Sequence, residues 1–217
     1  MNSRQIVATA LALIGTTWTL ALAETREGQL SELSVHTYNY SGVSADDLAA
    51  ARRHVEAIFE RATITISWRD CRTSGRDAAD VLPNCPTDRR PNEVMLRIMT
   101  SSTPGLDRAT SLGFSLVNRE NAHSAWLSSV FTNRVAVLAS QTGIDPTLLL
   151  GRAIAHEIGH LLIGSTDHAR AGLMRAFWSH AELTHGGGSE WVFLEKEARA
   201  MRSSLSTRVT RNTLARR

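Results

Sequence analysis

The sequence predicts an α+β fold: a mixed, twisted sheet packed on a backing helix and on a second helix that carries the candidate site, then a sharp turn and a closing C-terminal helix. Three observations carry this. Apolar residues alternate over Leu33–Tyr40 and again at Ile64, Ile66 and Trp68, with a third such run at Glu93–Met99. Between the first two runs they recur at helical spacing, and strand, helix, strand in that order favours a βαβ unit and a sheet that is at least partly parallel. Finally, Pro146–Ile163 is apolar around most of its girth yet carries two histidines and a glutamate.

In chain order, the first strand ends at Ser41-Gly42. Ser44 with Asp47 makes a helix start, and Leu48, Ala51, Val55, Ile58, Phe59 and Ala62 then line one face of the backing helix. After the second strand comes a polar loop between Cys71 and Cys85, and then the third strand. Phe114–Val117 and Ala125–Val130 fit two further strands, and Asn133–Gln141 a short helix broken at Thr142-Gly143. Asp145-Pro146 is a strong helix start, a capping side chain before a residue already held at helical φ, and Gly164 is the expected left-handed stop. Ser165–Ala181 reads as loop, Gly186–Gly188 as a flexible joint, and Glu190–Leu205 as the closing helix, with Phe193, Leu194, Ala198 and Met201 inward.

Residues 1–23 read as an export signal: Arg4, an uncharged apolar run from Ile6 to Leu22, and Ala21-Leu22-Ala23 as cleavage site. An uncleaved anchor is the alternative. The mature chain then starts near Glu24, with residues 24–33 as lead-in, 34–206 as one domain and 207–217 as a frayed basic tail. A secreted or periplasmic location follows, without stable membrane insertion once the signal is removed. In such a compartment the only two cysteines, Cys71 and Cys85, form a disulfide, worth on the order of 3 kcal/mol for a loop of this length. The formal net charge is +3, but the arginines are interspersed with acids, which points away from nucleic acid as a partner.

His156-Glu157-Ile158-Gly159-His160 places two imidazoles on one helix face, where both can reach one metal ion, with His168 beyond Gly164 as third ligand. Three protein ligands leave a position for water, the arrangement of a catalytic zinc site, and Glu157 stands where a carboxylate can take that water's proton. Gly159 costs the helix about 1 kcal/mol relative to Ala, which makes sense if another segment passes close by.

These residues resemble the metzincin clan of zinc metallopeptidases, whose pattern is H-E-x-x-H-x-x-G-x-x-H followed by a methionine turn. The match covers roughly residues 155–175. The resemblance implies a zincin-type fold, Zn2+ bound by His156, His160 and His168, Glu157 as general base, Met174 in the methionine turn beneath the metal, and a peptide or protein substrate. Counted from His160, Gly164 and His168 fall one and two residues later than in the clan, so Asp167 is the competing third ligand. A zinc-holding module without turnover is the competing function. Arg175, His180 and His185 could approach the cleft or lie on the surface, and Trp178 could line a pocket or join the core. His36, His54 and His123 have no partner spacing.

Overall fold

The parallel core of the sheet starts from one strand-helix-strand crossover, to which two further parallel strands are added. The computed structural model describes residues 31–71, 85, 90–100, 111–118, 124–185 and 188–215. The export signal, the interior of the cysteine loop, His123 and Gly186-Gly187 lie outside the described residues. β1 (Ser31–Asn39) leads through α1 (Ala45–Glu60) to β2 (Ile64–Asp70), which pairs with it in parallel. β3 (Glu93–Met99) pairs with the other side of β1, and β5 (Leu127–Phe131) with β3, both in parallel. β4 (Gly113–Leu116) closes the edge antiparallel to β5, giving the order β2-β1-β3-β5-β4. The sheet is therefore mixed and mostly parallel. β1 buries residues on both faces, Leu33 and Val35 on one and His36 on the other, as an internal parallel strand should.

The helix signals read from sequence are met locally. Ser44 accepts from the Asp47 amide at the start of α1. α2 spans Thr132–Thr142 and α3 spans Pro146–Ile163. Asp145 accepts from the amides of Thr147 and Leu148, and Gly164 takes φ +75° at the other end of α3. α1 supplies Leu48, Ala51, Val55, Ile58 and Phe59 to the core and crosses α3 at Gly151, where a Cβ would lie 2.6 Å from the Ala51 carbonyl oxygen. That close approach holds α3 against α1, while its second half reaches β5 and β4.

The chain departs from expectation in three places. β1 begins at Ser31, so the folded domain starts three residues before position 34. A short helix, α4 (His180–His185), interrupts the segment read as loop. The closing helix α5 runs Glu195–Ala215, later and longer than Glu190–Leu205, so Phe193 and Leu194 precede it. Its start is set by Glu197, whose carboxylate accepts from the Leu194 amide at 2.7 Å. Residues 207–215 are therefore helix and not frayed tail. Arg208 is 4% exposed and donates to the Leu161 carbonyl at 2.7 Å, one of the carbonyls that the last turn of α3 leaves without a helical partner. A guanidinium there also faces the negative end of the helix dipole. Cys71 and Cys85 stand at disulfide distance, with Cα atoms 5.4 Å apart. No described helix is long and apolar enough to cross a membrane.

Candidate metal centre

The two histidines and the glutamate of α3 lie on its buried second half. His156, Glu157 and His160 are 8%, 7% and 5% exposed, a costly placement unless each polar atom finds a partner. His156 Nδ1 lies 2.9 Å from the Leu173 carbonyl oxygen and His160 Nδ1 lies 2.8 Å from that of Ser165. Carbonyl oxygens only accept, so both Nδ1 atoms must carry hydrogen, and in a neutral ring Nε2 is then an unprotonated acceptor. These two Nε2 atoms are 3.0 Å apart. Two acceptors cannot bond each other, so this approach calls for a shared electrophile.

His168 completes the group. Gly164 turns the chain, the Asp167 amide donates to Ser165 Oγ at 2.9 Å, and the longer turn still returns His168 to the other two rings. The ring centroid of His168 is 5.4 Å from that of His156 and 4.9 Å from that of His160. One ligand atom from each of the three lies within 4.8 Å of the others, and Asp167 belongs to no such group among the described residues. Three imidazoles, two of them oriented by backbone carbonyls, are a donor set that fits Zn2+ with a position left for water.

The floor explains Gly159. A Cβ there would sit 2.7 Å from Met174 Sδ and 2.7 Å from Phe193 Cε1. Met174 is 1% exposed. Its loop is pinned on both sides: the Ala169 amide donates to the Met174 carbonyl and the Leu173 amide to that of Val192, each at 2.8 Å. Gly172 permits the turn at φ +76°. Trp178 packs edge-on against His156, with centroids 5.6 Å apart, and its indole N–H donates to the same Leu173 carbonyl that orients His156. It belongs to the wall of the site.

Burial dominates the electrostatics. Desolvation, aided by the neighbouring imidazoles, pushes His156 down to about 3 and His160 to about 4, so both are neutral and ready to coordinate at neutral pH. Desolvation pushes Glu157 up to about 8, opposed by a hydrogen bond from Ser115. A divalent cation alongside favours the carboxylate and pulls that value back down. Ser115 Oγ lies 2.7 Å from Glu157 Oε2, and an open cleft lined by Ser115, Leu116, Trp126 and Thr166 borders this contact.

The remaining sequence candidates separate. Arg175 is not a surface residue: it pairs with Glu182 of α4 and its side chain is 12% exposed. His180 and His185 are exposed on α4. His54 is half-buried on α1, and His36 is buried in β1, where one of its nitrogens lies within 4.8 Å of both cysteine sulfurs. Sequence reading did not find Ser115, Gly113 or the carbonyls of Ser165 and Leu173. The carbonyls carry no residue signature. The two β4 residues gain meaning only from the pairing that sets them against α3.

No family model matches this chain, and no curated protein matches it in sequence. Among solved structures, it is similar to the crystal structure of archaemetzincin from Methanopyrus kandleri, at 15% identity and a TM-score of 0.51, over 81% of this chain and 97% of that one. That likeness is one of fold, and it makes the arrangement of mixed sheet and helices zincin-like.

Proposed function

We propose that the chain is an exported zinc-dependent endopeptidase. One observation carries the reading: two unprotonated Nε2 atoms meet at 3.0 Å, with a third imidazole in reach and a buried carboxylate on the next residue. His156, His160 and His168 would hold the Zn2+, and Met174 would back the site through Gly159. Bound there, the cation supplies Lewis acidity, which activates water and polarises a peptide carbonyl. Glu157 accepts the attacking water's proton on its carboxylate and returns it to the leaving amine. The Leu173 and Ser165 carbonyls keep the first two imidazoles in the tautomer that presents Nε2. The cleft beside β4 would take the peptide substrate, and the disulfide supports an oxidising compartment, secreted or periplasmic.

The test is a comparison of native protein with Glu157→Ala on a mixed peptide pool, with metal content measured alongside. The variant should keep one zinc per chain and lose about 10²–10⁴-fold in cleavage, the span expected for removing a positioned base. Native protein that holds one zinc and cleaves nothing would leave a zinc-holding binding module in place of the enzyme.

A further inference from the structure

We propose that Ser115 is a positioning residue that holds the Glu157 carboxyl group in place against α3. The proposal rests on the peptidase reading for its catalytic consequence, and on geometry for the contact itself. Ser115 Oγ lies 2.7 Å from Glu157 Oε2 and also 2.7 Å from the Glu157 main-chain carbonyl oxygen. A hydroxyl has one proton and two lone pairs, so it can donate to only one of these oxygens at a time. Whichever of the two oxygens receives the hydrogen, the hydroxyl stays within bonding distance of Oε2, so one side chain of β4 ties the carboxyl group to the backbone of its own helix.

Gly113 completes the cradle from the same face of β4. A Cβ there would fall 2.8 Å from Glu157 Cγ and 2.9 Å from Oε1, besides 2.5 Å from the Ser129 carbonyl oxygen. Any side chain would displace the carboxyl group that Ser115 holds. Thus the edge strand fixes the glutamate by an absence at 113 and a hydroxyl at 115.

The isosteric pair Ser115→Thr and Ser115→Val isolates the hydroxyl, since both add the same branch and only one keeps the O–H. The full-length chain is measured with zinc loaded, and again after metal removal. Valine should lower kcat about 10–100-fold with KM within about twofold, in line with the cost of slight misplacement of a reacting group. Threonine should retain most of kcat, and both variants should keep one zinc. In the metal-free protein, the infrared carboxyl band assigned by its loss in Glu157→Gln should move in the valine variant and stay in the threonine variant. A valine variant with native kcat, or one that changes KM alone, overturns the proposal, as does a carboxyl band unmoved by valine. If native protein cleaves nothing, the enzyme reading falls and the band alone decides the contact.

Discussion

Among the described residues, two groups of side chains each bring three metal-competent atoms within 4.8 Å: His36 with Cys71 and Cys85, and His156 with His160 and His168. In the first group the two sulfurs satisfy each other as a disulfide, and His36 stands 3.8 Å from the Glu93 carboxylate. In the second, backbone carbonyls take up both Nδ1 hydrogens and leave two bare nitrogens facing each other at 3.0 Å. Both groups fall within the same 4.8 Å limit, and the demand for a cation differs. Closeness of ligand atoms does not make a metal site. What decides is whether each donor atom still lacks a partner once its other bonds are made.

The sharpest way to break this comparison is to remove donors from each group and count metal. His156→Ala and His160→Ala should abolish stable zinc binding, while His168→Ala should weaken it by more than the roughly 10–100-fold typical of outer-sphere changes. Asp167→Ala should leave zinc content and affinity unchanged. Zinc lost from the aspartate variant but kept by His168→Ala would reassign the third ligand. In the other group, a Cys71→Ser/Cys85→Ser double variant should still bind one zinc. Its cost should appear as a lower denaturant midpoint, about 3 kcal/mol for a loop of this length.

A smaller effect tests the floor. Gly159→Ala places a methyl group into Met174 Sδ and Phe193, both buried, and should cost about 1–3 kcal/mol by overpacking, read as a fall in Tm. If the variant is as stable as the native chain, Met174 does not wedge against the helix there.

The smallest effect per step is in pH. For the metal-free protein, burial depresses His156 and His160 to about 3 and about 4, so the unfolded chain binds more protons than the folded one below about 6.5. Their contribution is present above that pH and is lost as pH falls toward 4. Glu157, raised to about 8, acts in the opposite sense, and its contribution declines as pH rises from its ordinary value through 8. Two histidines outweigh one glutamate on the acid side. Stability should therefore peak near pH 6.5, falling on the acid side by about 1 kcal/mol per pH unit. Zinc should flatten the alkaline decline. Denaturant titrations at several pH values, with and without chelator, check this, and a flat profile without metal would mean that the polar face of α3 is not buried as described.

Legibility in the sequence followed how local the determining physics is. α3 could be bounded at both ends because Asp145, Pro146 and Gly164 act on their own backbone. β1, α1 and β2 announced themselves by periodicity, and Gly159 by the oddity of a glycine inside an apolar helix. What was not legible depends on remote partners. Arg208 looked like part of a basic tail because its partner is a carbonyl of α3, which no charge count can register. Glu197 set the start of α5 by bonding a backbone amide, so the apolar residues Phe193 and Leu194 could be mistaken for helix. Ser115 and Gly113 acquire a role only once β4 pairs antiparallel with β5 and lies against α3.

Zinc K-edge X-ray absorption on the purified, oxidised chain tests the account most directly, because it separates nitrogen from sulfur donors. The account predicts one zinc per chain with histidine nitrogens at about 2.0–2.1 Å and no sulfur in the first shell. Sulfur scattering at about 2.3 Å would move the metal to the cysteine group, and a chain that retains no zinc would contradict the account outright.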